Sequence, residues 1–373
     1  MLGERASAEP VAAAVRQALR APFEILDVHL RIDASIGIAH FPAHGTTPEV
    51  LMQRADIAMY QAKTGRRGHQ TYAESADHLT RERLELMSAL PDAIADGQLV
   101  LHYQPMVELQ TGRVTTVEAL VRWQHPTRGL LMPGAFLPFA EQSAVMRRLT
   151  LAVLDMALSQ TAAWDRDGLS LRVAVNVSAS NLLDADFADQ VRDVLGRHGA
   201  APDRLRLEIT EDVLMTDPDK AALVLAELSG AGIEIAIDDY GTGYSSLAYL
   251  KRLPVDELKI DRSFVAQLAT DNTDLAIVRS TVELARTLGI RVVAEGVEDA
   301  TALAALADVG ADTAQGYHFS RPLPADELAA WISGSGPARA GRAAAPAPSP
   351  HAADPPAPSP RRPLAGAAPG RRR

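Results

Sequence analysis

Two aspartates stand side by side in the stretch IEIAIDDYGTGYSSL, at Asp238 and Asp239, where an apolar run meets a loop rich in Gly, Ser and Thr. Neighbouring carboxylates repel, so a strand end that carries both needs positive charge close by. The pattern recurs along the chain. Strand-like runs carry, at or near their C-terminal ends, Glu118, Asn176, Glu208 with Glu211, Lys259 with Asp261, Glu295 with Glu298, and Gln315. One acid in such a place is a helix cap or a surface charge. Acids that return at the same point of successive repeats mark a shared site. Packed within a few ångströms, they would repel by on the order of 1 kcal/mol per pair even at high dielectric. The chain has no cysteine, which excludes disulfides, thiolate catalysis and Cys-ligated zinc or iron–sulfur centres. Its ten histidines are scattered, and only His102 and His318 fall on the strand-like segments between Leu99 and Trp331, so histidine-held zinc does not fit either. Oxygen ligands without sulfur suit Mg2+ or Mn2+. Two such cations, about 3.5–4 Å apart, are recurrent machinery for in-line displacement at phosphorus.

Such residues meet only if the fold brings strand ends together. From Leu99 to Trp331, strand-like and helix-like segments alternate. The strand candidates are LVLHYQPMVEL, RVTTVEALVRW, LRVAVNVSAS, RLRLEITED, IEIAIDDY, ELKIDRS, RVVAEGVE and DTAQGYHFS. Helical periodicity fills most of the gaps, as in FADQVRDVLGRHG and DLAIVRSTVELARTLG, both closed by the Gly expected at a helix C-terminus. The first two strands are joined by QTG alone, which predicts a hairpin. Eight strands with intervening helices predict an α/β fold, a TIM-like (β/α)8 barrel with one antiparallel strand, over residues 99–334. In such a barrel the C-terminal ends of the parallel strands form one rim. A doubly wound open sheet is the alternative, but no Gly-x-Gly-x-x-Gly or Walker-type loop supports it.

Around this unit the character of the chain changes. Residues 1–75 read as a separate segment: helices over VAAAVRQALRAPFEI and PEVLMQRADIAMYQAKTGRRG, with one or two strands in VHLRIDASIGIAHFP. Residues 76–98 read as a linking helix. Residues 335–373 are Ala, Pro and Arg with almost nothing large and apolar, and are expected to be disordered. The net charge of −10 argues against a duplex nucleic-acid partner, which would want a basic face. No apolar run is long enough to span a membrane and the start MLGERASAEP has no apolar signal core, so a cytoplasmic location is expected.

Eight ordered blocks carry a family resemblance. They are YQP at Tyr103–Pro105, EALVRW at Glu118–Trp123, NVS at Asn176–Ser178, EITE at Glu208–Glu211, DDYGTGYSSL at Asp238–Leu247, LKID at Leu258–Asp261, AEGVE at Ala294–Glu298 and QGYHFSRP at Gln315–Pro322. The region from Met87 to Trp331 resembles the EAL family of cyclic di-GMP phosphodiesterases. The resemblance implies metal-dependent hydrolysis of cyclic di-GMP to linear 5′-pGpG, by in-line attack of a water activated by two metals, Mg2+ or Mn2+. It implies Glu118, Asn176, Glu208, Asp238, Asp239 and Glu295 as metal ligands, with Lys259, Glu295 and Asp239 in catalytic roles and Lys259 orienting or helping to deprotonate the water. It implies that Arg122 contacts a phosphate, that Gln104 and Gln315 line the substrate site, and that Asp261 and Glu298 support it. Glu211 would brace the loop from Tyr240 to Ser246, which in such proteins couples the site to a homodimer interface. Two departures are mild: Tyr240 stands where Phe is usual, and Asp212 where Ser is common.

The first 75 residues resemble the C-terminal half of the GGDEF diguanylate cyclase family, through ASIGIAHFP at Ala34–Pro42 and ADIAMYQAKTGRRGHQTY at Ala55–Tyr72. No Gly-Gly dipeptide occurs in the chain, so the name-giving segment is absent. The resemblance makes Lys63, Arg66 and Arg67 remnants of a phosphate-contacting region, in a partial α+β fragment without cyclase activity and with an exposed apolar face. The chain reads as a piece of a longer gene product. The alternative function is a non-catalytic cyclic di-GMP receptor, but such proteins have lost motif residues and here every position is filled.

Overall fold

The computed structural model describes residues 8–334 apart from 20–22, 26–27, 31–33, 65–67, 74, 142, 212–216, 243–249 and 269. Several sequence expectations therefore lie outside the described residues: Arg66, Arg67, Asp212, most of the loop after Asp238 and Asp239, and the tail 335–373.

The strands are, in chain order, β1 (Phe23–Ile25), β2 (Val28–Leu30), β3 (Ile36–Ile38), β4 (His69–Thr71), β5 (Leu99–Glu108), β6 (Val114–His125), β7 (Gly129–Leu131), β8 (Arg172–Val177), β9 (Leu205–Thr210), β10 (Glu234–Tyr240), β11 (Glu257–Ile260), β12 (Arg291–Ala294) and β13 (Thr313–Ala314). The large sheet runs β5-β13-β12-β11-β10-β9-β8-β6, and a β5–β6 pairing closes it into an eight-stranded barrel. β7 pairs with β6 outside the ring. β5 is antiparallel to both of its neighbours, and the other ring pairings are parallel. The hairpin expected at QTG is the β5–β6 turn.

Strand alternation decides what enters the lumen. In β9, Leu205, Leu207 and Ile209 are buried on one face, while Arg206 and Glu208 share the other. In β11, Leu258 and Ile260 alternate with Glu257 and Lys259. The apolar positions pack into one core with the helices that surround the barrel, including Val145–Arg166 and Phe187–His198. Each such Leu or Ile contributes about 1.5–3 kcal/mol by leaving water. The polar positions are two residues apart along each strand, so they stack in two layers inside the barrel. One layer holds Arg206 and Glu257, the other Glu208 and Lys259.

The first layer closes the barrel at its N-terminal end. Arg206 donates to Glu234 at 2.8 and 3.1 Å and pairs closely with Glu257. Arg291 bridges the same two acids from the side, at 2.8 and 3.4 Å. Arg206 and Glu257 are almost fully buried, so neither can exchange its partner for water. Glu257→Ala would leave Arg206 without one of its counter-charges, at a cost of about 3–5 kcal/mol. Urea unfolding should show it as a lower midpoint, with Glu257→Gln, which keeps the shape and an acceptor, falling in between.

The N-terminal segment builds its own small layer. β3 and β4 pair in parallel, and β1 with β2 antiparallel. A Cβ on Gly37 would come within 1.9 Å of the Ala55 carbonyl oxygen, so the helix Pro48–Thr64 rests directly on β3. Ala58 and Tyr72 form a separate buried cluster. Val11, Val15, Phe41, Met52 and Met59 are exposed in this segment. One expectation is corrected here. The helix expected to run through FEI stops at Leu19, and Phe23–Ile25 is a strand. Pro22 precedes it in the sequence, and the residue before a proline is pushed away from helical backbone. β4 and β7, three residues each, had no sequence expectation. Among the described residues no helix is long and apolar enough to cross a membrane.

Candidate active site

Lys259 is the centre of the second layer. Its side chain is fully buried, and its Nζ lies 2.6 Å from Glu295, 2.7 Å from Glu208, 3.2 Å from Asp238 and 3.8 Å from Glu118. Four strands deliver these acids to one point. Glu118 comes from β6, Glu208 from β9 and Asp238 from β10, while Glu295 follows β12 directly. The parallel register places them at one level, with Asn176 opposite Glu208 and Gln104 of the antiparallel strand opposite Glu118.

Amides orient the cluster. Asn176 Nδ2 donates to Glu118 Oε1 at 2.7 Å, and Gln315 Nε2 donates to Glu118 Oε2 at 2.6 Å. Gln315 also reaches Gln104 Oε1 at 3.1 Å, and Gln104 Nε2 donates to the Ser320 carbonyl at 3.1 Å. Glu118 is thus fixed by both oxygens.

The adjacent aspartates have a backbone explanation that periodicity could not show. Ile237 pairs with Leu258 but Tyr240 pairs with Ile260, so β10 carries one extra residue between them. Asp239 takes φ +53°, a left-handed conformation that is uncommon outside glycine but tolerated by Asp. A regular strand would send consecutive side chains to opposite faces; a bulge re-aims one of them. Carboxylate oxygens of Asp238, Asp239 and Glu295 consequently lie within 4.8 Å of one another, a group that could hold a metal ion.

The remaining predicted residues fall around this core. Asp261 caps the short helix Arg262–Val265, accepting from the Ser263 amide at 3.0 Å, and lies close enough to Asp239 to help raise its pKa. Glu211 accepts from the Gly241 amide at 3.1 Å, bracing the first residue beyond β10. Glu298 lines the cavity over the acids, about 210 Å3 in volume, together with Gln104, Glu118, Asp238, Glu295 and Gln315. Arg122 is not among the lining residues. It is buried, donates to the Val121 carbonyl at 2.9 Å, and leaves its Nε without a hydrogen-bond partner.

The charge balance tests whether cations fit. Glu118, Glu208, Asp238, Asp239 and Glu295 face a single ammonium. Burial pushes the Glu208 carboxyl well above the usual range, and Lys259 only partly offsets it. Burial raises Glu295 to about 8 and, with Asp238 and Asp261 beside it, raises Asp239 to about 6. Glu208 Oε1 is buried and accepts no hydrogen bond. An orphaned carboxylate oxygen among acids short of positive charge is what a divalent cation would complete, and the donor set, all oxygen, suits a hard one. An acid whose folded pKa is raised takes up protons on folding, so stability falls as pH climbs from the unfolded value to the folded one. In EDTA, the melting temperature should therefore fall between about pH 5 and 8. Excess Mg2+ should flatten that slope, whereas a flat profile in EDTA would contradict the charge balance.

Comparison with known proteins follows the same residues. The EAL domain family model matches residues 87–322, and the GGDEF domain model, described as diguanylate cyclase, matches residues 3–69. The chain belongs to the EAL domain family and carries part of a GGDEF domain ahead of it. Among curated relatives, the bifunctional diguanylate cyclase/cyclic di-GMP phosphodiesterase MucR of Pseudomonas aeruginosa is 44% identical over 332 residues, 88% of this chain and 48% of its own length. The cyclic di-GMP phosphodiesterase NbdA of the same organism is 41% identical over 310 residues, 83% of this chain and 40% of its own. The chain thus spans about half the length, or less, of these relatives. Among solved structures, the PaMucR phosphodiesterase in complex with c-di-GMP matches with a TM-score of 0.63 and 46% identity, over 65% of this chain and 99% of that one. The EAL domain of Mycobacterium smegmatis DcpA matches with a TM-score of 0.54 and 35% identity, over 64% of this chain and 98% of that one.

Sequence reasoning missed the bulge at Asp238–Asp239, the buried arginine–glutamate layer and the close approach that Gly316 makes. A Cβ there would lie 2.1 Å from the Val297 carbonyl oxygen. The Gly of QGYHFSRP was the one available signal.

Proposed function

We propose that this chain hydrolyses cyclic di-GMP to linear 5′-pGpG, in a reaction that depends on two divalent cations, Mg2+ or Mn2+. The observation that carries the reading is the cluster around Lys259: five oriented carboxylates with an unsatisfied Glu208 oxygen, at the rim where barrel enzymes place their chemistry. The c-di-GMP complex of a relative 46% identical supports the ligand. In this reading residues 99–334 form the catalytic unit, 76–98 link it to the N-terminal fragment, and the barrel pairs as a homodimer in the cytoplasm.

Glu118, Asn176, Glu208, Asp238, Asp239 and Glu295 would hold the cations. Asn176 spends its amide nitrogen on Glu118, which leaves its carbonyl oxygen as a ligand. When bound, divalent cations supply neutralising charge at the phosphoryl oxygens and lower the pKa of water. Lys259 orients the attacking water, and helps to deprotonate it only after the lysine has itself lost a proton. Burial alone would lower the Lys259 pKa, but Asp238, Glu118, Glu208 and Glu295 outweigh it and hold the ammonium well above its usual value. Once those acids are neutralised, burial prevails and the proton is released more readily. Arg122 contacts a substrate phosphate, while Gln104 and Gln315 keep the substrate over the acids. Asp261 holds Asp239, Glu298 closes the cavity wall, and Glu211 ties the loop beyond β10 to the site. The water oxygen bonds to phosphorus as the P–O3′ bond breaks, leaving a 5′-phosphate on one guanosine and a 3′-hydroxyl on the other.

Turnover in heavy-oxygen water tests this route. The label should appear on the 5′-phosphate of pGpG and not on the freed 3′-hydroxyl. Label on the hydroxyl would mean attack at carbon, and cyclic di-GMP left intact by folded protein with either cation would sink the enzyme reading.

A further inference from the structure

Asn176 stands where the β8 ladder gives out. The last pairing with β6 joins Ala119 to Val175, and the last with β9 joins Val177 to Ile209. Asn176 is exposed, and among the described residues its amide nitrogen is tied to Glu118 alone. Strand pairing by itself therefore leaves the aim of this side chain loosely fixed. The turn that follows carries a polar knot set in apolar surroundings. Asn181 is buried, at 1% exposure, and its Oδ1 accepts from Ser178 Oγ at 2.7 Å and from Thr150 Oγ1 at 3.0 Å. Ser180 Oγ lies 2.8 Å from Ser178 Oγ. The Asn181 backbone amide donates to the Ser178 carbonyl at 3.1 Å, so one residue grips Ser178 by main chain and side chain together. Thr150 belongs to the helix Val145–Arg166 and is itself buried. Leu149, Val177 and Leu182, each next in sequence to a member of the knot, belong to the apolar core.

Packing alone does not account for this amide. Its Nδ2 is buried and has no hydrogen-bond partner. A buried donor left unpaired costs stability, and a leucine, with the same branching, would leave none. What the amide supplies is an oxygen that two hydroxyls share, one from the outer helix and one from the residue two beyond Asn176. Groups behind a metal ligand that fix its orientation typically cost about 10–100-fold in metal affinity or activity when removed. We infer that Asn181 is a positioning residue: by tying Ser178 to Thr150, it sets the direction in which Asn176 faces Glu118 and Glu208. It acts through Ser178 and touches neither cation nor substrate. The inference rests on the reading of Asn176 as a cation ligand.

The test uses the full chain, stripped of metal and titrated calorimetrically with Mn2+ alone. Asn181→Leu should weaken the Kd by about tenfold or more, with a melting temperature in EDTA close to that of the parent. With Mg2+ and cyclic di-GMP, the loss should fall on kcat and leave KM within about twofold. Ser178→Ala should weaken Mn2+ binding by a similar factor. The double variant should lose no more than the larger single loss, because both changes break one contact. Thr150→Val, which keeps the shape and removes one of the two hydroxyls, should fall between parent and Asn181→Leu. A residue that only packs would move the melting temperature and leave the Mn2+ Kd alone. If Asn181→Leu folds and keeps that Kd within about twofold, the positioning role is overturned. Losses that multiply in the double variant overturn it as well, since the two residues would then act separately. Should Asn181→Leu not fold, a Kd within about twofold of the parent in both Ser178→Ala and Thr150→Val overturns it. A parent chain that binds no Mn2+ removes the metal-dependent reading itself, and the positioning role with it.

Discussion

Asp238→Asn should purify as a folded barrel that has lost its cations and its turnover together. Asparagine keeps the side-chain oxygen that accepts from the Asp239 amide at 3.0 Å, so the bulge survives. It also removes one negative charge from a crowded group, so the metal-free protein should be no less stable than the parent. What disappears is the carboxylate that faces both Asp239 and Glu295. Loss of one strongly placed electrostatic contact to a transition state costs roughly 10^2–10^3-fold, and losing the cations themselves should cost more. The checks are calorimetric titration with Mn2+ and the rate of pGpG formation, alongside a melting curve. Glu118→Ala makes a useful contrast. It should be as inactive, but less stable, because Asn176 and Gln315 both lose the acceptor that orients them.

Lys259→Met should be the most damaging substitution in metal-free protein. Methionine fills much of the same volume, so the loss is of charge and not of packing. Among the described residues the ammonium is the only cation within 4 Å of Glu208, Asp238 and Glu295, and Glu208 has no access to water. Removing one partner of a buried ion pair costs about 3–5 kcal/mol. At roughly 2–4 °C per kcal/mol for a domain of this size, the melting temperature in EDTA should drop by about 6–20 °C. Excess Mg2+ should recover part of that loss, because it supplies the missing positive charge. Turnover should not recover, since a general acid–base group is worth about 10^2–10^4-fold. Equal melting curves for parent and variant in EDTA would show that Lys259 does not balance the acids.

The site was legible because barrel geometry turns a one-dimensional regularity into a place. Acids at the ends of successive parallel strands must share a rim, and Glu118, Glu208, Asp238 and Glu295 do converge on Lys259. The antiparallel β5 was legible from the shortness of the QTG turn. The arginine–glutamate layer was not. Arg206, Glu234, Glu257 and Arg291 lie far apart in sequence and stand near strand starts, where charge reads as surface. A charge pairs across a barrel lumen only after the strands are in register. β4 and β7 escaped because three residues are too few to display a period. The left-handed Asp239 escaped because a bulge is a property of pairing.

In the proposed function, the acids gathered by the rim around Lys259 serve to cleave one phosphodiester of a cyclic dinucleotide. Its most direct test is product analysis: purified chain incubated with cyclic di-GMP and either Mg2+ or Mn2+, with the nucleotides separated and weighed by mass spectrometry. Linear pGpG is expected with either cation, and none once EDTA is added. Cyclic di-GMP recovered intact from folded protein that binds it, with both cations tried, would contradict it.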